Sequence, residues 1–305
     1  MGNIKGYVYG VATSVTFGLI PLFTLPLMNK GMHYDSILFY RFLFASIALA
    51  IMLKVTGQPF KVNRREIPVL LLLGIFYTCS AMFLLWGYDF MGAGVATALH
   101  FTYPVFVTLF MFFLFKEKTT WVSWVAILLA VAGVSVLSVK GPDLSFDAFG
   151  VFIVALSAVA YACYITAVNK SRVRTMNGRT LAFYVFIVST VLFAIKASLS
   201  GGIQPIPDAG AWTDAILLAI LPTVISNVTL VLAVRNIGGT MTSVLGAMEP
   251  LTAVAIGVMV FGESFSLQEG LGVVLIIIAV TLIILSDSVR NTVSSVYKKI
   301  RPRHA

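Results

Sequence analysis

The sequence predicts an all-α integral membrane protein of about ten transmembrane helices, arranged as two inverted five-helix repeats with both termini in the cytoplasm. Three observations predict it. Apolar runs of about 20 residues recur along the whole chain, the basic residues cluster between alternate runs, and the second half of the chain repeats features of the first at a fixed offset.

Each observation has a physical basis. Of the 305 residues, 59% are hydrophobic and only 11% charged, against roughly 25% charged in soluble domains. A water-soluble globule is excluded, and the bilayer is the solvent that sets the architecture. The first run, Tyr7 to Leu27, follows Lys5; it is longer than a signal-peptide core and lacks a small-x-small cleavage site, so it is read as a span. The ten spans begin near residues 7, 34, 67, 93, 120, 149, 177, 213, 239 and 267. Helices are required because an open strand in lipid leaves its backbone unpaired, and barrel strands alternate apolar with polar residues, which these runs do not.

Charge sets the orientation, since Lys and Arg in short loops stay in the cytoplasm. With the N-terminus inside, that side holds Lys5, the loop of Lys54, Lys61, Arg64 and Arg65, then Lys116 and Lys118, then Lys170, Arg172, Arg174 and Arg179. Arg235 and the tail residues Arg290, Lys298, Lys299, Arg301 and Arg303 complete the set. The outer loops hold only Lys30, Lys140 and Lys196, and Arg41 lies inside the second span. The formal charge of +9 therefore reports membrane orientation, not nucleic-acid binding. A protein of the cytoplasmic membrane is expected, with the lipid bilayer as its surroundings.

Shifting the chain by 146 residues places Gly92 on Gly238, Leu99 on Leu245, Pro104 on Pro250, Phe115 on Phe261 and Glu117 on Glu263. Five spans per unit means the second unit enters from the opposite side, as in many secondary transporters. Residues 1–140 form the first repeat and 141–287 the second. Residues 288–305 form a basic cytoplasmic tail, in which Val289, Val293, Val296 and Ile300 make one stripe; an interfacial helix and a disordered tail both fit it.

The sequence resembles the EamA-type members of the drug/metabolite transporter superfamily over essentially its whole length. The matching residues are the F-Y-R-F run at Phe39 to Phe42, Tyr103 to Val105 with Phe115 to Glu117, and Glu249 to Leu251 with Phe261 to Glu263. The resemblance implies ten helices in two repeats, a central cavity bounded by the first, third, fourth, sixth, eighth and ninth spans, and transport of metabolites such as amino acids, often outward.

A solute path must be polar where lipid is not, so polar residues deep in the spans are the candidates. Counted at 1.5 Å per residue, Tyr77, Tyr103, Tyr161 and Glu249 fall near the midplane. Tyr164 lies beside them, His100 one turn outside Tyr103, and Asn227 nearer the cytoplasm. These seven are the candidate substrate-binding residues. Packing would explain the tyrosines equally well, an interhelical hydrogen bond would explain His100, and helix-to-helix glue would explain Asn227. Glu249 is the one acid well inside a span; an ionised acid there costs roughly 2.5 to 3.5 kcal/mol. Two readings stand for it: a carboxyl fastening a bent helix, or a group that binds a substrate amine or exchanges a proton during transport.

Arg41, about 10 Å from the outer face by helical rise, is assigned an anchoring or gating role and is close enough to snorkel outward. Pro104 and Pro250, with Pro21 and Pro222, interrupt helices and free carbonyls. Glu117 and Glu263 stand at span ends and are read as structural. Cys79 and Cys163 read as small buried hydrophobes.

Rival functions lack their signatures. No H-E-x-x-H or D-D-x-x-D run occurs, and His33, His100 and His304 are too scattered for a metal site, so neither metal nor other cofactor is expected and an intramembrane enzyme is the weaker reading. No G-K dipeptide occurs, which rules out a Walker A loop. A channel would show polar filter sequences or charge rings. The driving force is then a gradient of the small-molecule solute itself or of coupled protons.

Overall fold

The computed structural model describes residues 2–140, 145–146 and 148–300, with side chains for 4–136, 148–237, 241–242 and 244–286. The chain is helical almost throughout. In order the helices are α1 (Gly2–Gly18), α2 (Ile20–Asn29), α3 (Tyr34–Val55), α4 (Ile67–Gly87), α5 (Ala93–His100), α6 (Tyr103–Phe113) and α7 (Trp121–Ser138), then α8 (Ala148–Lys170), α9 (Gly178–Leu199), α10 (Ala209–Ala219), α11 (Ser226–Leu245), α12 (Met248–Phe261) and α13 (Leu267–Ile300). A π-helical segment, Ile220–Ile225, joins α10 to α11, and a 3₁₀ turn, Arg172–Thr175, precedes α9. A two-residue antiparallel ladder pairs Val139 with Phe146 and Lys140 with Ser145.

Eight helical stretches among the described residues are long and apolar enough to cross a membrane, and two shorter apolar helices, Trp121–Val136 and Met248–Phe261, accompany them. The second of these differs from the sequence expectation. The ninth span was placed from residue 239, and the backbone is helical through that position to Leu245, with a further break at Gly246 and Ala247 ahead of Met248. Pro250 explains the position, because it has no N–H for the carbonyl four residues back, which is that of Gly246. The chain reverses direction between Asn236 and Leu245. Thr13 donates to the Ser226 carbonyl (2.6 Å) and Gly6 packs on Asn236, whereas Gly10 packs on Leu245 and Gly18 on Thr252, so the chain runs down α1 and back up it.

Helix pairing is symmetric between the halves. The pairs α3 with α9 and α7 with α13, and the fourth span with the ninth through α5 and α12, each map onto themselves when the halves are exchanged, and α1 with α11 maps onto α8 with α4. Close approach is needed at one such crossing. A Cβ on Gly94 of α5 would lie 2.6 Å from the Val254 Cα of α12, so a larger residue must push the helices apart.

The loops gather at two ends. One end brings together Gly6 with Asn236, Glu117 with Lys170 (2.6 Å) and Gln58 with Asn177 (2.7 Å). The other holds Lys30 with Asp208 (2.8 Å) and Lys196 with buried Asp35 (2.6 Å). There the Glu263 carboxylate also accepts from the Ala93 N–H (3.0 Å), closing an open donor at the N-terminus of α5. That matches the structural reading of Glu263. Between the ends, large apolar side chains such as Leu128 (71% exposed) and Met259 (84% exposed) face outward, as lipid requires and water does not. The side chains of the tail stripe, Val289, Val293, Val296 and Ile300, lie outside the described residues.

Candidate functional site

Prolines build the site. Pro21, Pro104 and Pro250 stand in the first turns of α2, α6 and α12, and Pro222 lies within the π-helical segment. Proline removes one N–H and clashes with the carbonyl four residues back. The carbonyls concerned belong to Phe17, His100, Leu218 and Gly246. That of Leu218 accepts instead from the Thr223 hydroxyl (3.0 Å), and that of Gly246 from the Glu249 N–H (2.9 Å).

Phe17, His100 and Gly246 all line one cavity of about 270 Å³. Its walls come from α1 (Thr13, Ser14, Phe17), α4 (Tyr77), α5 and α6 (His100, Tyr103) and α8 (Tyr161, Tyr164, Ile165, Val168, Asn169). The rest is supplied by α11 (Ser226, Asn227, Leu230, Val234, Thr242), Gly246 and α12 (Glu249). All seven candidate residues, separated by up to 172 positions in sequence, therefore face a single space. Its mouth lies at the end carrying Lys170 and Arg235, where Asn169 and Val234 are exposed. The opposite side is sealed by buried Ile20, Leu84, His100 and Arg41.

Aromatic packing fixes the tyrosines. Tyr161 meets Tyr103 edge-on at 4.7 Å between ring centroids and stacks on Tyr164 at 5.7 Å, while Tyr77 meets Tyr164 edge-on at 5.2 Å. Their hydroxyls are unspent: Tyr77, Tyr103, Tyr161 and Tyr164 make no hydrogen bond through them among the described residues, and none of the four is sealed off.

His100 is held in one orientation. The Ser157 hydroxyl donates to the Ser80 carbonyl at 2.6 Å and lies 2.9 Å from His100 Nδ1. A hydroxyl has one hydrogen, so Ser157 must accept from Nδ1–H, and the network assigns the neutral ring an unprotonated Nε2. Nε2 has no partner among the described residues and is available to the cavity as an acceptor. The helix breaks at Phe101 and Thr102, so His100 and Tyr103 belong to separate helices, although their rings stay 5.9 Å apart.

Glu249 also sits differently from expectation. It is the second residue of α12, in the first turn of that helix, not the middle of a continuous one. Among the described residues the carboxyl makes no side-chain hydrogen bond or ion pair. Asn227 bonds within its own helix, Nδ2 to the Thr223 carbonyl at 2.7 Å, and so does not act as glue between helices.

Arg41 does not snorkel. It is 3% exposed, its Nε donates to Thr223 Oγ1 at 2.9 Å, and its guanidinium lies 5.4 Å from the Phe42 ring centroid. A hydroxyl acceptor on the π-helical segment gives it an inward partner that the sequence did not reveal. Cys79 and Cys163 are free thiols away from the cavity.

Sequence reasoning missed Thr13, Ser14, Asn169, Ser226 and Thr242 on the cavity wall, and Ser157 and Ser80 behind His100. Short hydroxyl side chains carry little signal because they bond their own helix as readily as anything else. Ser14 does so here, donating to the Gly10 carbonyl at 3.1 Å.

The EamA-like transporter family matches the chain twice, over residues 4–139 and 148–285. A relative named only as an uncharacterized transporter from Clostridium kluyveri is 23% identical over 90% of this chain and 91% of its own. The uncharacterized inner membrane transporter YedA of Escherichia coli K12 is 25% identical over 63% of this chain and 62% of its own. A probable terminal-alkyne amino-acid exporter of Streptantibioticus cattleyicolor is 27% identical over 72% of this chain and 73% of its own. A solved structure titled only as a crystal structure of protein shares the fold, with a TM-score of 0.67 and 17% identity over 94% of this chain and 99% of the other.

Proposed function

We propose that this chain, which belongs to the EamA-like transporter family, is a secondary transporter that exports an amino acid or related amine-bearing metabolite across the cytoplasmic membrane by alternating access. The observation that carries this reading is the chemistry of the 270 Å³ cavity. Among the described residues its wall offers the Glu249 carboxyl, His100 Nε2 and four tyrosine hydroxyls without partners, and no Lys or Arg lines it. Acceptors and aromatic faces around one space suit an ammonium group, which donates three hydrogen bonds and is attracted to ring faces. Tyr77, His100, Tyr103, Tyr161, Tyr164, Asn227 and Glu249 are the proposed binding residues.

The same geometry supports the remaining parts of this proposal. Ten crossings, with the two short apolar helices counted as spans, put both termini on the side richer in Lys and Arg, which is the cytoplasm. The cavity mouth is on that side, so this conformation receives solute from inside. Breaks next to Pro21, Pro104 and Pro250 let half-helices tilt without unravelling, and Arg41 gates the sealed side. The relative named as a probable terminal-alkyne amino-acid exporter supports the substrate class. Glu249 and His100 are the groups that proton coupling would use.

The test is reconstitution in liposomes with labelled amino acids and their amines, with and without an imposed pH gradient. Movement of at least one such solute, saturable and absent from empty liposomes, is expected. Transport of none of them, together with turnover of a lipid, would replace this reading with an enzyme.

A further inference from the structure

The main cavity serves half of an amino acid. Its acceptors suit the ammonium group, but among the described residues no Lys or Arg lines it to meet the carboxylate. On the sealed side of the same aromatic layer lies a second, smaller space of about 20 Å³, large enough for one water. The two spaces share Phe17, Tyr77, His100 and Tyr161, which border both, and the second space is lined by Arg41.

Arg41 is an unusual residue to leave in this position. A guanidinium carries five N–H donors. One, on Nε, is spent on Thr223 Oγ1, and that hydroxyl is itself held by its bond to the Leu218 carbonyl across the π-helical segment. The four donors on Nη1 and Nη2 meet no acceptor among the described residues, and no carboxylate pairs with the charge, although the side chain is 97% buried. Burying a cation without a counter-charge is costly, and retaining one on a helix of a membrane protein points to an anion that comes and goes. The free fork of a fixed guanidinium matches the two oxygens of a carboxylate.

We propose that Arg41 is the carboxylate subsite of the transport path, taking the substrate's carboxylate as the layer of Phe17, Tyr77, His100 and Tyr161 parts. This rests on the amino-acid reading above and adds its second half: ammonium at the Glu249 side, carboxylate at the Arg41 side. The π-helical segment is a positioning element. By presenting Thr223 Oγ1 to Nε it leaves the Nη donors of the guanidinium free. Nothing covalent is involved. The subsite discriminates a zwitterion from the corresponding amine, which would satisfy Glu249 and leave Arg41 bare.

The experiment is equilibrium binding to the full chain in nanodiscs with matched ligand pairs: L-leucine and 3-methylbutylamine, L-phenylalanine and 2-phenylethylamine, L-methionine and 3-(methylthio)propylamine. For a pair that binds, the wild type is expected to favour the amino acid by about tenfold or more, the usual scale for a hydrogen bond to a charged group. Arg41→Gln should bring the amino acid down to the level of the amine and leave amine binding unchanged. A preference equal in wild type and Arg41→Gln, or a parallel loss of both ligands, overturns the subsite while the transport reading stands. Binding of amines without any preference overturns it too, and binding of neither member of any pair overturns the amino-acid reading along with it. Should Arg41→Gln fail to fold, phenylglyoxal modification of Arg41 in the wild type, read by peptide mass, gives the same answer. The amino acid should protect Arg41 and the amine should not; equal reactivity with both overturns the proposal.

Discussion

Replacing Ser157 by alanine tests whether His100 is a working group or a packed one. In the wild type the Ser157 oxygen accepts from His100 Nδ1–H at 2.9 Å while its own hydrogen goes to the Ser80 carbonyl at 2.6 Å. Alanine removes both bonds and leaves a buried N–H without an acceptor, a cost of about 1 to 3 kcal/mol. The ring can avoid that cost by moving the proton to Nε2, which turns the cavity-facing acceptor into a donor. At 1.4 kcal/mol per tenfold, the acceptor form then loses about five- to a hundredfold in population. Binding of an amine should weaken by a similar factor if His100 accepts from it. The assay has two arms, affinity for an amine or amino acid bound by the wild type, and ¹⁵N chemical shifts of His100 in labelled protein. The wild type should show a protonated Nδ1, and Ser157→Ala a shift towards protonated Nε2 with weaker binding. A changed tautomer with unchanged affinity would remove His100 from the binding site, and an unchanged tautomer would refute the hydrogen-bond assignment itself.

Other predictions address separate links. Glu249→Gln keeps size and hydrogen bonding but cannot ionise, so it should reach the membrane normally and lose transport or its pH dependence; wild-type rates across pH 5 to 8 would leave Glu249 structural. With Cys79 and Cys163 removed, Asn169→Cys and Tyr161→Cys should react with a small water-soluble thiol reagent added from the cytoplasmic side, and Leu84→Cys on the sealed side should not. The reverse pattern would place the mouth on the other face. Gly94→Ala puts a Cβ 2.6 Å from the Val254 Cα and should lower stability by about 1 to 3 kcal/mol, as overpacking does; thermal unfolding indistinguishable from wild type would mean that α5 and α12 separate freely. Alkaline phosphatase fused after Arg303 should be inactive in cells, since strong activity would require an odd number of spans.

The sequence by itself determined the class of protein and the composition of its site. Long apolar runs exclude water as the solvent, the Lys and Arg clusters orient the loops, and Pro104 and Pro250 at matching places in the two halves mark where helices break. Each is a property of local chemistry acting through a bilayer of fixed thickness, so it is legible without coordinates. Tyr77, His100, Tyr103, Tyr161, Tyr164, Asn227 and Glu249 could be chosen for the same reason, because polar groups at midplane depth need a polar space. Depth along a helix does not give direction around it, however, and the tertiary structure alone decided that these seven converge on one cavity. It also decided what the sequence misjudged. Arg41 has the reach to snorkel, yet an acceptor 182 positions away, Thr223 Oγ1, holds it inside. Glu249 begins a half-helix because the carbonyl that Pro250 cannot satisfy belongs to Gly246. The partners of a buried polar group come from other helices, and their identity depends on how those helices pack, which no spacing within a single span records.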